Sequence, residues 1–378
     1  MKLGVLTVAF FCLVMSLSGC ITEKIEEQKI DDGGVIVPEE YVWEDDGELT
    51  IVTYDVYGIT PEMIEEFENR TDYEVTILKL DDAGSVLSHL LQHQDNQVAD
   101  LAIGLDNTYL PIALDYDVLW QHSADVNNVS AGILNELQTP YAAPFDHGYI
   151  CINYDKSIID GENYTVPTSL WDLTSSEFSG KVAIPSPETS SPGRAFMLST
   201  INYFANDEDN STDWTDWWSA MASNDATITS GWSEAYETHY TGGYGEWTEG
   251  YIGDANFVVS YCHSPGVESY FNENWTKSAA LDLENYAFHQ IEFASAIKGG
   301  NLDAASSFIE YLLSYEINSQ MPVTNYMYSV LENTTLPETY GYLNNTLVPR
   351  SPVYMEYSDI AANMNDWLQS WNSAMVDA

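Results

Sequence analysis

The sequence predicts an α/β fold of two lobes with a ligand cleft between the lobes. Its 378 residues are too many for one small core and suit two lobes of α/β structure. Segments with the pattern of strands alternate along the chain with segments that have the pattern of helices, which favours a largely parallel sheet. Several of these strands run into aromatic and hydroxyl residues, and open α/β sheets bind ligands at such strand ends.

The first predicted elements are a strand over 49–54 and a helix over 61–69, with Pro61 in the first turn of the helix and acids close behind it. Apolar alternation then predicts a strand over 73–78. A helix over 85–94 and a strand over 99–104 follow. These segments make up the first half of the alternating pattern.

The later elements are strands over 148–154, 182–184 and 257–260, followed by amphipathic helices over 304–314 and 357–375. Ser191 is predicted to cap a helix that has Pro192 at its first position. A further helix carries three tryptophans at i, i+3 and i+4, a spacing that core packing explains better than ligand binding. The residues of these apolar stripes are Trp214, Trp217 and Trp218, and in the last helix Ile360, Met364, Trp367 and Trp371.

The chain is strongly acidic, with 59 Asp and Glu against 11 Lys and Arg and a formal net charge of -48. Nucleic acid is therefore excluded as a partner, because the protein would repel phosphate over most of its surface. Solubility in a salty medium accounts for this charge, and a field that gathers cationic ligands is compatible with it. Aromatic residues make up 13%, which is typical of a folding chain rather than a disordered acidic one.

The N-terminus has the pattern of a targeting segment over residues 1–19. Lys2 precedes an almost wholly apolar run, and the sequence then reads Leu17-Ser18-Gly19-Cys20, the pattern of a lipobox with lipid on the Cys20 thiol. An uncleaved membrane anchor remains the alternative. Residues 20–48 are predicted to be the lipidated cysteine and an acidic, solvated tether. The expected location is the outer face of the cytoplasmic membrane, at the cell surface or in the periplasm.

Two cysteines, Cys151 and Cys262, remain in the body of the chain once Cys12 leaves with the signal and Cys20 takes lipid. They could form a disulfide in an exported protein, or lie as two buried free thiols. The chain also carries Asn-x-Ser/Thr sequons, the acceptor sequence for N-glycosylation. They begin at Asn69, Asn128, Asn163, Asn210, Asn274, Asn333 and Asn344.

The sequence favours a binding protein over an enzyme. It contains no nucleophile elbow, zinc-protease, P-loop or dinucleotide motif. Cys262 and His263 are neighbours, and neighbours on a strand point to opposite faces, which places them badly as nucleophile and base. The seven histidines are scattered, whereas a zinc site needs clustered ligands. No catalytic residue, metal or cofactor is expected.

With catalysis set aside, aromatic residues that lie beside acids are the remaining candidates for a binding site. Aromatic faces next to carboxylates suit an organic cation, because the ring quadrupole attracts charge and the acid accepts hydrogen bonds from an amine. Most of the 26 tyrosines are expected to pack in the core. Trp232 and Tyr261 differ, since they lie among Gly, Ser and Pro, and they are the first candidates for the walls of a site.

The chain resembles the thiamine-binding solute receptors of ABC importers, through segments that occur in the family's order from about residue 49 onwards. That family has the two-lobe, type II fold of the periplasmic binding proteins. The matching segments are Thr53-Tyr54-Asp55, Ala99-Asp100-Leu101-Ala102-Ile103-Gly104-Leu105-Asp106-Asn107, Pro144-Phe145-Asp146-His147-Gly148-Tyr149, Tyr154-Asp155-Lys156, Thr189-Ser190-Ser191-Pro192-Gly193, Gly231-Trp232-Ser233-Glu234-Ala235-Tyr236, Ser260-Tyr261, Ser264-Pro265 and Asn325-Tyr326-Met327-Tyr328.

The resemblance implies a set of ligand contacts. They are Asp82, Ala83, Ser190, Ser191, Trp232, Tyr261, Cys262, His263, Ser264 and Pro265, with Tyr54 and Tyr326 as further aromatic neighbours. It also implies lobes formed by 49–145 with 266–318 and by 146–265 with 319–378, and chain crossings near Asp146 to Tyr149 and near Tyr261 to Pro265. The family has Gly at Ala83, Trp at Tyr326 and two Thr at Cys262 and His263, and the last difference bears on ligand identity.

The function implied is capture of thiamine, its monophosphate or its diphosphate by a monomeric lipoprotein that delivers it to an ABC permease. Arg194, in the first turn after Ser191, is a candidate phosphate contact at a helix N-terminus, with a surface ion pair as its alternative. Ferric iron or a polyamine are alternative ligands. A surface glycoprotein with no transport role is the alternative class.

Overall fold

The structure is a computed structural model that describes residues 29–30, 36–37, 46–55, 58–137, 139–206, 211–376 and 378. Residues 1–42 and 43–378 form two separate units. In the first, strands β1 (Lys29–Ile30) and β2 (Ile36–Val37) pair antiparallel within the predicted tether. The predicted signal segment and Cys20 lie outside the described residues. No helix among the described residues has the length and apolar character needed to span a membrane.

The second unit consists of strands and helices that alternate over much of the chain. Its strands are β3 (Glu48–Thr53), β4 (Glu74–Lys79), β5 (Leu101–Asp106), β6 (Ala143–Asp155), β7 (Val182–Pro185), β8 (Thr227–Thr229), β9 (Phe257–Tyr261), β10 (Ser278–Ala280), β11 (His289–Ala296) and β12 (Tyr328–Ser329). Its helices are α1 (Pro61–Arg70), α2 (Ala83–Gln92), α3 (Leu110–Asp115), α4 (Ala131–Leu137), α5 (Ser191–Ala205), α6 (Trp214–Ser223), α7 (Ser264–Phe271), α8 (Leu302–Leu312), α9 (Tyr315–Asn318), α10 (Met321–Thr324), α11 (Tyr342–Asn345) and α12 (Tyr357–Val376).

The main sheet has the strand order β4-β3-β5-β11-β6-β9-β7-β8, and β10 and β12 pair with β6 outside this path. Strands β3, β4 and β5 are parallel to one another, as are β7, β8 and β9. Strands β6 and β11 run antiparallel to their neighbours. The sheet is therefore mixed, with two parallel groups joined through antiparallel strands, where the sequence favoured a largely parallel one.

Two large clusters of buried apolar side chains lie along this sheet, and a smaller third one contains Ala183, Tyr236 and Val258. The first draws on β3, β5 and α8, and the second on β7, β9, α5 and α12. Strand β6 belongs to both, because Phe145 packs in the first cluster and Ile150 in the second. The chain passes between them again at the start of β11, between Phe288 and Ile291, and once more between Leu331 and Val353. The prediction placed a crossing near Tyr261 to Pro265. The division of residues between lobes stays a prediction.

Local sequence accounts for the start of the helices that bear on the site. Thr60 caps α1 by accepting a hydrogen bond from the Met63 amide, and Pro61 fills the first position, where an N–H would have no partner in the helix. Ser190 is the N-cap residue of α5, one position before the predicted cap, and Ser191 is the first residue of the helix. Trp217 and Trp218 of α6 are fully buried, which confirms their predicted place in the core.

A disulfide joins Cys151 of β6 to Cys262, which directly follows β9, with their Cα atoms 4.8 Å apart. Strands β6 and β9 pair antiparallel, and Cys151 lies opposite Ser260 in the register. Of the two states that the sequence left open for these cysteines, the structure has the disulfide. The bridge closes a loop with a sequence separation of 111 residues.

Candidate functional site

A cavity of about 510 Å³ opens where several strands of both parallel groups end. This volume lies within the usual range for small-molecule sites. The residues that line it come from the segments after β3, β4, β7, β8 and β9, from β5 and β11, and from the segment before β12. They are Tyr54, Asp55, Asp81, Asp82, Ala83, Ser85, Gly104, Thr189, Ser190, Ser191, Pro192, Ser230, Gly231, Trp232, Ser233, Glu234, Tyr236, Tyr244, Tyr261, Ser264, Val267, Glu268, Glu292, Asn325, Tyr326 and Met327.

Tyr54 lies in the cavity wall directly after β3. Its ring packs against the backbone of Gly104, where a Cβ atom would come within 2.0 Å of the ring carbon Cε1. Gly104 also has a φ of +96°, a conformation that other residues rarely adopt. The Tyr54 hydroxyl donates a hydrogen bond of 2.7 Å to Glu292 Oε2, so both ends of the side chain are held.

Trp232 presents an indole ring that is fixed from two sides. The ring stacks on Tyr236 with centroids 4.8 Å apart and an interplanar angle of 16°. Its Nε1–H donates to Ser260 Oγ at 2.7 Å. Tyr236 is in turn held from behind, because its hydroxyl donates to the carboxylate of Glu268. The aromatic wall is thus set in place by contacts that involve no ligand.

Tyr261 ends β9, and its hydroxyl accepts a hydrogen bond of 3.2 Å from Gln290 Nε2. Ser264 begins α7 and lies within hydrogen-bond distance of Ser260, with 3.0 Å between their Oγ atoms. The backbone amide of Tyr261 donates to Ser264 Oγ at 3.3 Å. Ser260 therefore links Ser264 to Trp232, and the predicted aromatic and hydroxyl residues form one connected surface.

Asp82 and Ala83 lie at the start of α2. Asp82 is the N-cap residue, with Oδ1 accepting a 2.9 Å hydrogen bond from the Ser85 amide, and Ala83 is buried. A Cβ atom at Gly84 would lie 2.7 Å from the Thr189 carbonyl oxygen, so the absence of a side chain lets α2 approach the turn before α5. This approach places Asp82 and Ala83 in the same cavity as Ser190 and Ser191.

Tyr326 lines the cavity with a positive φ of +58°, and His263 Nε2 lies at hydrogen-bond distance from its carbonyl oxygen. Burial lowers the pKa of His263 to about 4, so the ring is neutral at pH 7 and Nε2–H donates to this carbonyl. His263, Cys262 and Pro265 are buried and do not line the cavity. The thiol of Cys262 is committed to the disulfide, and His263 acts on the site through Tyr326.

Arg194 does not line the cavity and is only 4% exposed. Its Nε donates to the Pro187 carbonyl at 3.1 Å, and its guanidinium lies over the Tyr109 ring at 3.9 Å from the centroid. The structure therefore gives no support to the predicted phosphate contact from this side chain. The surface ion pair that was its alternative is also absent from the described contacts, since Arg194 is buried.

The cavity is electronegative. Six acids are among the described residues that line it, and none of those lining residues is Lys or Arg. The acids are Asp55, Asp81, Asp82, Glu234, Glu268 and Glu292. Sequence reasoning missed Glu268 and Glu292, and it also missed Tyr236 and Tyr244 as lining residues. Among the described residues, no group of three or more His, Cys, Asp or Glu side chains is arranged to hold a metal ion.

The fold and the position of the cavity define the class to which this molecule is similar, the solute-binding proteins of the two-lobe, type II kind. Residues 96–238 match the family model described as bacterial extracellular solute-binding protein. A solved structure titled periplasmic thiamin binding protein has a TM-score of 0.73 to this one at 26% sequence identity. The match covers 87% of this chain and 96% of that one. The fold class predicted from the sequence is confirmed.

Within that class, the chain is similar to proteins named thiamine-binding periplasmic protein. It is 28% identical over 334 residues to the one from Escherichia coli (strain K12), covering 86% of this chain and 93% of that protein. It is 26% identical over 333 residues to the one from Brucella melitensis, covering 86% and 91% respectively. The resemblance to thiamine-binding receptors that the sequence motifs indicated is confirmed, and these relatives are binding proteins by name.

Proposed function

We propose that the protein captures thiamine outside the cytoplasm and delivers it to the permease of an ABC importer. The observation that supports this most strongly is the cavity itself. It combines the stacked Trp232 and Tyr236 and the ring of Tyr261 with six acids and, among its described lining residues, no basic side chain. Thiamine has a flat aminopyrimidine and a thiazolium ring with a fixed positive charge, and such a cation is attracted to aromatic faces and carboxylates.

The size of the cavity agrees with this ligand. About 510 Å³ can enclose a molecule of two small rings, whereas a solvated ion would leave most of the aromatic surface without a contact. The ligand is held without a chemical step, and closure of the two lobes around it is the expected motion. Release to a permease then requires only that the lobes open.

The cavity has features that favour and features that oppose the phosphate group of a thiamine ester. The first turn of α5 lines the cavity through Ser190, Ser191 and Pro192, and a helix N-terminus favours an anion. The six acids oppose an anion by Coulomb repulsion. We expect thiamine to bind at least as tightly as its monophosphate, with any phosphate contact made by the α5 backbone and hydroxyls rather than by Arg194.

Lipid attachment at Cys20 completes the proposal, because a receptor anchored at the outer face of the membrane stays near its permease. Replacement of Cys20 by Ala should move the protein from the membrane fraction to the soluble fraction when it is made in its own host. We propose that the receptor acts as a monomer.

Calorimetric titration of the purified chain with thiamine, its monophosphate, its diphosphate, spermidine and ferric citrate tests the function. Saturable binding of thiamine, with a rise in melting temperature that a metal chelator does not change, is the expected result. Binding of spermidine or ferric iron without thiamine would establish one of the other receptor functions. Failure of every ligand to bind would favour a surface glycoprotein with no transport role.

A further inference from the structure

Glu292 lies on β11, between two other buried acids on neighbouring strands. In the sheet register Glu292 is opposite Asp106 of β5 on one side and opposite Asp146 of β6 on the other. All three side chains are at least nine-tenths buried, with Glu292 at 4% exposure. Like charges directly opposite each other destabilise a sheet, so this row needs a reason.

The three acids differ in how their charge is accommodated. Burial raises the pKa of Asp106, but its Oδ1 accepts hydrogen bonds from the Thr108 amide, the Thr108 hydroxyl and the Tyr109 amide, at 2.8, 2.7 and 3.1 Å, and Arg194 favours its charged form. Glu292 and Asp146 form no ion pair with Lys, Arg or His among the described residues. Asp106 thus has donors for its charge, and the other two acids have no cation.

Glu292 alone of the three lines the cavity. Its Oε2 accepts from the Tyr54 hydroxyl at 2.7 Å, and its Oε1 accepts from Gln290 Nε2 at 2.8 Å. Gln290 Nε2 also donates to the Tyr261 hydroxyl. Two aromatic side chains of the cavity wall are therefore tied to this one carboxyl group.

Asp146, opposite Glu292 on β6, is fully buried. Its Oδ2 accepts a hydrogen bond from Asn325 Nδ2, whereas its Oδ1 has no hydrogen-bond partner among the described residues. The titratable groups that face Glu292 are Tyr54, Tyr261, Asp106 and Asp146. None of them supplies a positive charge.

We propose that Glu292 selects a positively charged ligand by exchanging a proton for it. In the empty cavity the buried carboxyl group of Glu292 carries a proton. An organic cation that binds against Tyr54 and Tyr261 takes over the neutralisation of Glu292, and the proton leaves to solvent, so that one positive charge replaces another. This inference rests on the proposed function, since thiamine supplies the fixed charge.

The electrostatics of the buried pair agree with this exchange. Burial raises the pKa of Glu292 to about 8, and burial together with the nearby Glu292 raises the pKa of Asp146 well above its ordinary value. Two buried carboxyl groups this close do not both ionise at neutral pH. A bound cation favours the ionised form of Glu292. Binding below pH 8 should therefore release a proton, and affinity should rise as pH rises from 6 to 8.

Calorimetry of thiamine binding at pH 7 in phosphate and in Tris, which differ in ionisation enthalpy, measures this proton. The parent protein should release a proton on binding. Glu292→Gln keeps the shape and can still accept from Tyr54, and it should release far fewer protons and bind thiamine at least about tenfold more weakly. Its affinity for thiochrome, an uncharged oxidation product of thiamine, should not change.

Two further variants control the measurement. Glu136 of α4 lies outside this cavity, and its carboxyl group contacts His289 of β11, the strand that also carries Glu292. The variant Glu136→Gln should leave thiamine affinity and proton release unchanged. Asp146→Asn leaves Glu292 as the single acid of the pair. Proton release at pH 7 should persist in this variant, because burial is the main cause of the raised pKa of Glu292. Loss of the proton release would overturn the exchange, so this variant tests it even if Glu292→Gln does not fold.

The outcomes separate the inference from the function. If thiamine binds the parent and Glu292→Gln with equal affinity and equal proton release, the inference is overturned and the proposed function stands. If thiamine does not bind the parent, the proposed function is overturned, and choline serves as the probe cation. Proton release with choline that depends on Glu292 would support the exchange, and no choline binding would overturn it.

Discussion

The guanidinium group of Arg194 lies 3.9 Å from the ring centroid of Tyr109. Arg194 belongs to α5, which packs in the second apolar cluster, whereas Tyr109 packs in the first. Nη2 of Arg194 also donates to the Glu188 carbonyl at 3.4 Å, in addition to the bond from Nε to Pro187. A cation–π contact therefore joins the two clusters beside the cavity.

Replacement of Arg194 by Lys should lower the free energy of unfolding by about 1–2 kcal/mol, because Lys has no planar group to stack on Tyr109 while donating to two carbonyls. Urea denaturation measures the change. Arg350→Lys is the matched control, since Arg350 is an exposed residue with one ion pair to Asp282 at 3.1 Å. Equal losses in the two variants would show that the contact with Tyr109 contributes nothing.

Replacement of Trp232 by Ala should weaken thiamine binding at least about tenfold, because the ligand loses a stacking surface and a cation–π contact. Titration calorimetry on the folded variant checks this. Trp247, which is 64% exposed and does not line the cavity, supplies the control variant Trp247→Ala, which should keep the parent affinity. Unchanged binding by folded Trp232→Ala would remove this residue from the site.

Replacement of Asp82 by Asn should separate two roles of this side chain. Asn is as good an N-cap residue as Asp, so we expect the free energy of unfolding to change by less than about 0.5 kcal/mol. Thiamine affinity should fall several-fold, because a neutral amide attracts the cation less than a carboxylate does. Asp213→Asn, at the cap of α6 and away from the cavity, should affect neither binding nor stability by more than this. An affinity equal to the parent's would leave Asp82 as a helix cap only.

Glu268 should contribute stability to the ligand-free protein that is lost as pH rises from about 5 to about 7. Burial raises the pKa of Glu268 to about 7, from an ordinary value of 4.5. At this carboxyl group the folded state therefore binds more protons than the unfolded chain in this interval, and the resulting stability is lost as Glu268 ionises. Melting temperatures across this range measure the slope.

The variant Glu268→Gln should lose this contribution, whereas Glu246→Gln, which removes a more exposed acid paired with Lys277, should keep it. Glu292 adds its own pH-dependent contribution to the stability of the parent and of both variants. The comparison therefore uses the difference between their curves of melting temperature against pH. Parallel curves for the parent and Glu268→Gln would show that Glu268 is ionised throughout.

Much of the fold could be predicted because its elements carry their own local signals. The strand at Leu49, the helix at Pro61 and the tryptophan stripe of α6 were found within a few residues of their observed bounds. Strand β11 was missed. All eight of its residues are buried, and Gln290 and Glu292 occupy positions that alternation would assign to solvent. Only the fold shows that this face lies against a cavity and not against water.

The candidate site could be predicted where a residue type and its neighbours point to a ligand. Trp232 and Tyr261 lie among small and turn-forming residues, and the structure places both in the cavity wall. Arg194 has the right position in sequence for an anion contact, but its side chain turns back towards Pro187 and Tyr109. Helix periodicity does not reveal such a direction, because it depends on the packing of α5 against another part of the fold.

The bond between Cys151 and Cys262 makes the intervening residues a covalent ring. Strands β7 and β8, helix α5 and Trp232 all lie within this ring. A protease that cuts the ring at one exposed loop, such as the one around Trp247, would leave the two pieces attached to each other through sulfur. Such a nicked molecule would run as a single band on a denaturing gel until a reductant separates the fragments. A single proteolytic cut in this ring therefore releases no part of the receptor while the disulfide is intact.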